Sequence, residues 1–223
     1  MKEAAPVIIT TSDGSHSVKL TNTAVTFHST FGAYTESNHI FMDAGFQYYQ
    51  EHQEPDEIAI FEMGFGTGLN ALLTAIKANA LKIKVRYTTL DLFPLNETIL
   101  DQLNYGSRLD AELLYQSIRQ AAWNQAVTIN GYFILEKLQE DLAQWHSEAL
   151  FDLCFFDAFA PDDQPELWTE AIFKKIISRM KRGGVLTTYC SKSVVRKALL
   201  QAGFKVEKLK GPPGKREMVR ATA

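Results

Sequence analysis

Three glycines at alternate positions, Gly64, Gly66 and Gly68, end an apolar run and open a helical one in the stretch EMGFGTGLN. A strand-to-helix turn stripped of side chains is where an open α/β sheet admits a ligand, because the strand's carboxyl end and the helix N-terminus both face it. Dinucleotide turns space their glycines G-x-G-x-x-G and seat a pyrophosphate. Here the spacing is G-x-G-x-G with Glu62 just ahead of it, and a carboxylate in that place repels a pyrophosphate but pairs with a cation. A second acid, Asp91, ends the next apolar run, KVRYTTLDL, where an acceptor for ribose hydroxyls is expected. Together these features indicate a cofactor with a ribose, a positive charge and no phosphate, which is S-adenosylmethionine. Asp157 closes FDLCFFDAF, the most apolar run, and so stands where the acceptor of a methyl group would arrive. A carboxylate there suits an amine, since it can orient an N–H and take a proton; a carbon acceptor would call for a cysteine nucleophile, and no Pro-Cys pair is present. The plain alternatives are glycines that only permit tight packing and an Asp157 that only caps a turn.

The elements that must position these residues can be read from periodicity. Apolar strand patterns fall at 58–64, KVRYTTLDL, VTINGYFIL, 151–159, GVLTTYC, FKVEKL and REMVRATA. Helical patterns follow the glycine turn, cover about 96–123, 138–147 and 166–180, and include SVVRKALLQAG. Strand and helix alternate, so a parallel-rich sheet with helices on both faces is predicted. The last two strands are joined by a Gly/Pro turn with no helix between them, which makes the final strand antiparallel. Residues 1–55, with an Asp13-Gly14 hairpin signal, read as a small β-rich N-terminal cap, and 56–223 as the main domain.

Charge divides along the chain. Residues 172–223 carry 14 Lys/Arg against 2 Asp/Glu, whereas residues 1–171 carry 9 against 24. Such a split fits a polyanion meeting one face, with nucleic acid first among candidates, or merely solvated helices whose charges segregate. No apolar run reaches the roughly 20 residues of a membrane helix, and the amino-terminal segment is too short in apolar residues for a signal peptide, so a cytoplasmic protein is expected. Cys154 and Cys190 read as reduced core thiols. The five histidines show no metal-ligand spacing, so no metal is expected. Trp123, Trp145 and Trp168 read as packing residues, and Tyr189 as lining a substrate pocket or packing.

EMGFGTGLN, LDLFPL, FFDAFAPDDQPELW, KRGGVLTTYCSKSVVRKALLQAGF and KGPPGKREMVRA together resemble the tRNA 5-methylaminomethyl-2-thiouridine methyltransferase family, from about Tyr34 onward. The resemblance implies a Rossmann-like class I S-adenosylmethionine-dependent fold, a mostly parallel seven-stranded sheet with an antiparallel last strand. It implies methyl transfer to the exocyclic amine of 5-aminomethyl-2-thiouridine at the tRNA wobble position. In many bacteria this domain is fused to a flavin-dependent oxidoreductase; a chain of this length resembles the stand-alone form, with a separate enzyme supplying the aminomethyl group. By similarity Glu62, Gly64, Gly66, Gly68, Asn70, Asp91 and His39 would hold the cofactor and Asp157 would face both cofactor and amine. Tyr34, Glu36, Lys210, Lys215 and Arg216 would meet the tRNA.

The chain departs from the family at Asp91, where many relatives have glutamate, at Asp-Ala-Phe in place of Asp-Gly-Phe, and at FILEKLQEDL, which lacks the Gly-Asp that often contacts adenine. Two other functions share parts of this pattern: an aminopropyltransferase of the spermidine-synthase kind, and a non-catalytic scaffold binding S-adenosylmethionine and RNA. The basic C-terminal region argues against the first, and cofactor turnover separates the second.

Overall fold

A computed structural model describes residues 5–223; Met1–Ala4, the start of the expected cap, lie outside the described residues. The chain opens with a hairpin, β1 (Pro6–Thr10) and β2 (His16–Leu20). It then forms one long helical rod: α1 (Ala33–Ser37), a π-helical stretch Asn38–Gln47 and α2 (Tyr48–Gln53). The main body follows as β3 (Glu57–Met63), α3 (Leu69–Leu81), β4 (Lys84–Leu90), α4 (Glu97–Leu100), α5 (Tyr105–Arg108), α6 (Glu112–Gln120), β5 (Gln125–Asn130) and β6 (Phe133–Leu138). After β7 (Phe151–Phe156) come a 3-10 turn at Pro165–Trp168, α7 (Glu170–Ile177), β8 (Met180–Thr188), α8 (Ser193–Ala202), β9 (Lys205–Lys210) and β10 (Glu217–Thr222).

Eight strands make one sheet in the order β5-β6-β4-β3-β7-β8-β10-β9. The pairs from β6 to β8 are parallel, and β10 runs antiparallel to both β8 and β9. The seven strands expected from the sequence are therefore present, with β5 added at one edge. Successive residues of the central strands point to opposite faces. Ile60, Leu153 and Phe155 join a core under α3, α6 and the N-terminal rod, while Phe61, Cys154 and Phe156 join a second core under α7 and α8. Both cysteines are free and buried.

Four local expectations change. VTINGYFIL is a hairpin rather than one strand, because Asn130 Oδ1 accepts the Tyr132 N–H at 2.8 Å and turns the chain at Asn130-Gly131. The segment 138–147 is not a helix: Asp141 Oδ1 accepts the Ala143 N–H at 2.9 Å, closing a single turn, and Trp145 is drawn onto Phe61 with ring centroids 4.6 Å apart. The helix placed at 166–180 stops at Ile177. Gly183 and Gly184 do not cap it; they belong to β8, whose register against β7 shifts between Phe151 and Leu153, and a Cβ on Gly184 would lie 3.0 Å from the Asp152 carbonyl oxygen. The β-rich reading of 1–55 describes its first half, and residues 33–53 are the helical rod.

The rod's start explains why it forms. Its first amides are capped from the hairpin loop: Ala33 N–H by Thr11 Oγ1 at 3.3 Å, Tyr34 N–H by Ser15 Oγ at 3.1 Å and Thr35 N–H by Asp13 Oδ2 at 2.9 Å. These are donors a helix cannot satisfy within itself. The bonds from Ser15 and Thr35 outweigh the opposing effect of burial and hold the Asp13 carboxyl well below the usual carboxylate range. Further along, Gly45 lets the rod approach the sheet, since a Cβ there would already lie 3.1 Å from the Phe155 ring.

Candidate active site

The carboxyl ends of β3, β4, β6 and β7 surround a cleft of about 190 Å³. β3 ends against Gly64, whose φ of +95° suits glycine alone, and a Cβ there would lie 2.8 Å from the Asp157 carbonyl oxygen. The glycine turn is thus pressed against the end of β7, and that closeness brings Asp157 into the cleft. Gly66, at φ +51°, donates its N–H to Asp91 Oδ2 at 3.0 Å, while Asp91 Oδ1 accepts the Phe93 N–H at 3.0 Å. Asp91 consequently ties the turn to the end of β4. Burial raises its pKa against these two bonds.

Glu62 does not line the cleft. It is buried on β3 behind Asn70, whose Nδ2 donates to Glu62 Oε1 at 3.1 Å and to Asp157 Oδ2 at 3.0 Å. One amide thereby links two carboxyl groups. Burial pushes Glu62 up to about 8, opposed by the hydroxyls of Thr89 and Tyr87 and by Asn70. Glu62 Oε2 and Asn70 Oδ1 lack a protein partner. Asp157 is raised well above the carboxylate range, first by burial, then by the charges of Glu36 and Glu62; the Asn70 bond and Lys215 pull it back.

The cleft's far wall comes from residues that the sequence reading did not select. Leu92 and Phe93 flank Asp91, and the loop after β6 contributes Glu140, Asp141 and Leu142. An acidic pair thus occupies the region where Gly-Asp was missing, a few residues later; the EDL triplet was its only signal. From the N-terminal segment come Phe27, whose ring covers Gly66, and His28. Nothing in the periodicity of 21–32 marks them. His28 is buried with its Nδ1 3.2 Å from Ser17 Oγ, and burial lowers it to about 4, so the ring is neutral.

Phe27 and Phe159 meet edge to face with centroids 5.0 Å apart. Beyond them lies a second chamber of about 250 Å³, bounded by Glu36, Asp157, Asp163, Tyr189 and Lys215. Phe27, His28, Asp157, Ala158 and Phe159 face both spaces. Glu36 Oε2 accepts the Ser29 N–H at 2.7 Å and its Oε1 pairs with Lys215.

Other expected residues are elsewhere. His39 Nε2 sits 2.8 Å from the Lys210 carbonyl oxygen, pinning the rod to the end of β9 rather than facing the cleft. Gly68, at φ +75°, starts α3 under the Phe65 ring. The Tyr34 N–H serves the helix cap, and Lys210 and Arg216 are exposed on the surface.

The donor set indicates what the cleft accepts. Asp91, Glu140, Asp141, Asp157 and Glu166 line it, and no lysine or arginine does among the described residues. Five carboxyl groups with no opposing basic side chain fit a cationic nucleoside and reject a pyrophosphate. Among the described residues no group of three or more His, Cys, Asp or Glu is gathered for a metal, and no helix is long and apolar enough to cross a membrane.

Known proteins resemble this chain in sequence and in fold. The chain is 31% identical over 216 residues to the tRNA 5-methylaminomethyl-2-thiouridine biosynthesis bifunctional protein MnmC of Actinobacillus pleuropneumoniae, a match covering 86% of this chain and 31% of that protein. The homologue from Nitrosospira multiformis is 34% identical over 180 residues, covering 76% of this chain and 29% of its own. The chain therefore spans about a third of the length of these relatives. The MnmC2 structure of Aquifex aeolicus superimposes with a TM-score of 0.80 at 25% identity, over 99% of this chain and 70% of that one. A spermidine synthase from Thermotoga maritima, at a TM-score of 0.61 and 12% identity over 100% of this chain and 70% of that one, shares the fold alone. Residues 110–223, which carry β7, Asp157 and the Lys215 turn, match the model of a family described as S-adenosyl-L-methionine-dependent methyltransferase. With a phosphate-rejecting cleft at the strand ends and half its length matching that model, the chain belongs to the S-adenosyl-L-methionine-dependent methyltransferases.

Proposed function

We propose that this protein methylates the exocyclic amine of 5-aminomethyl-2-thiouridine at the wobble position of tRNA, in the cytoplasm, on a substrate whose aminomethyl group a separate enzyme supplies. The observation that carries the reading is Asp157, a carboxyl group open to both the cleft and the chamber. S-adenosylmethionine, when bound, supplies an electrophilic methyl on a sulfonium. The chain's residues then have distinct tasks. Gly64 and Gly66 leave room for the cofactor, Asp91 receives its ribose hydroxyls, Leu92, Phe93 and Leu142 flank its base, and Asn70 holds Asp157 in place through its Nδ2. Glu62 acts through Asn70 and is a positioning residue. Asp157 orients the acceptor amine and takes the proton it must shed; burial raises its pKa, and a carboxylate so raised is a stronger base than an ordinary one. Phe27 and Phe159 keep water from the junction. Methyl transfer is an in-line displacement, so alignment across this junction is the main contribution of the protein.

The basic C-terminal quarter supports a polyanionic substrate. Lys210 and Arg216 are exposed, and contacts with phosphates supply much of the affinity of such a surface. Incubating the protein with labelled S-adenosylmethionine and tRNA from a strain lacking this methylation, then identifying the nucleoside by mass spectrometry, tests the reading. Label in 5-methylaminomethyl-2-thiouridine is expected; cofactor binding with no labelled nucleoside would overturn it.

A further inference from the structure

The acceptor chamber already holds a cation. Lys215 Nζ lies 3.9 Å from the centre of the Tyr189 ring and is bonded to Glu36 Oε1. The groups around that ammonium are fixed. Glu36 is only 6% exposed, and its other oxygen accepts the Ser29 N–H. Tyr189 donates its hydroxyl to the Ala158 carbonyl oxygen at 2.9 Å, which sets the plane of its ring. Asp157 faces the same space, close enough for the charge of Lys215 to favour its ionised form. An aromatic face with carboxylates at its edge is the composition of a receptor for an alkylammonium ion.

The occupant, by contrast, is built to leave. Lys215 hangs on a flexible four-carbon stem with its side chain 29% exposed. It sits in the turn between β9 and β10, beside Gly214 at φ +83°. A cation that only stabilised the fold would be better served by arginine, whose planar fork grips a carboxylate through two bonds.

We propose that the Lys215 ammonium is a placeholder for the substrate's own. The acceptor alkylammonium binds on the Tyr189 ring and Glu36, where Lys215 Nζ rests in the free protein, and Lys215 swings to the mouth of the chamber to meet a phosphate. Exchange of one cation for another leaves Glu36 paired throughout, which avoids the penalty of a bare buried charge. It also imposes a double requirement: a substrate must bring an alkylammonium to enter the box and an anion to receive the lysine. A polynucleotide carrying an aminomethyl base has both; the free nucleoside has only the first.

The inference rests on reading the chamber as an amine-methylating site, but the box can be probed without nucleic acid. Thermal unfolding of wild type, Lys215→Met and Lys215→Met/Glu36→Gln would be followed in methylammonium chloride and in sodium chloride of equal ionic strength. Saturable protection by methylammonium is expected for Lys215→Met alone. Equal protection of all three, or of none, overturns the proposal. In turnover, Lys215→Met should raise kcat/KM for 5-aminomethyl-2-thiouridine nucleoside by about tenfold, since a resident competitor no longer divides the apparent affinity, and lower it for tRNA by a similar factor. Lys215→Arg, which keeps the charge and can grip Glu36 through two bonds, should lower the nucleoside value below wild type. Equal losses of Lys215→Met on both substrates would sink the exchange while leaving the methyltransferase reading intact. Protection of Lys215→Met by methylammonium with no methylation of either substrate by wild type would do the reverse.

Discussion

The cleft and the chamber share a wall of Phe27, His28 and residues 157–159, and beyond that wall they differ. Most of the cleft is drawn from consecutive strand ends and the turns that follow them, and no lysine or arginine lines it among the described residues. The chamber is gathered from residues 24–29, Glu36, residues 157–160, Asp163, Tyr189 and Lys215, and it encloses an ion pair. One space, proposed above as the socket of the cofactor, is built on the strand ends of the sheet; the other is assembled by tertiary packing and can be altered piece by piece. Changes to the shared wall should therefore damage both functions, and changes to either outer wall should damage one.

The largest effect is expected at the shared wall. Asp157→Asn keeps the shape and the contact with Asn70 but cannot take a proton, so kcat should fall by about 10²–10⁴, and the loss of a carboxyl group from the cleft should weaken cofactor binding as well. Single-turnover rates beside cofactor titrations check this, and a rate within a factor of three of wild type would remove Asp157 from the chemistry. Next comes the socket. Gly64→Ala forces a Cβ to within 2.8 Å of the Asp157 carbonyl oxygen at a φ of +95°. A strained backbone and a collision with main chain should cost about 2–4 kcal/mol and abolish cofactor binding. Chemical denaturation with and without S-adenosylmethionine measures both. Were the variant to bind the cofactor as wild type does, the socket would lie elsewhere.

The same contrast explains what could be read in the sequence. The glycine turn, Asp91 and Asp157 were legible because strand periodicity ends where the site begins, so pattern and position coincide. The parallel sheet followed from the alternation of strands and helices, and the antiparallel last strand from the Gly/Pro turn that joins β9 to β10 with no helix between them. The N-terminal rod was not legible: its caps come from Thr11, Asp13 and Ser15, about twenty residues upstream, and its middle is π-helical, with a period that a 3.6-residue template does not match. Phe27 and His28 were invisible because a residue between elements has no periodicity to betray its direction. His39 was misplaced for a related cause. Glu36, three residues earlier, lines the chamber, but one turn along the rod the His39 ring reaches Lys210 instead.

Behind the socket, Glu62 offers a pH test. Its folded pKa of about 8 lies above the 4.5 of the unfolded chain. The folded protein therefore holds a proton that the unfolded one has lost. The stabilisation is complete below 4.5 and disappears as pH rises through 8, at up to about 1.4 kcal/mol per pH unit from this group. Glu62→Gln should flatten that slope without adding charge. Denaturation midpoints from pH 4.5 to 8.5 decide the matter, and parallel curves for the two proteins would show that Glu62 is ionised behind Asn70.

The smallest effect isolates the chamber. Asp13 never approaches either space, but it caps the rod that carries Glu36. Asp13→Ala should cost about 1–2 kcal/mol, the usual loss for a helix cap, and lower Tm by about 3–6 °C in a domain of this size. Because its folded pKa lies below the unfolded 3.8, wild type keeps this stabilisation above that value and loses it as pH falls further; the variant has none to lose, so the two should converge in acid. A fraying rod would release Glu36 before it disturbs Gly64 or Asp91, which are held by β3 and β4. Cofactor affinity should thus stay within about twofold of wild type while KM for the acceptor rises, a split that follows if the rod and the sheet open independently. Equal weakening of both ligands would mean that the two spaces are one cooperative unit, and the division between socket and chamber would have to be abandoned.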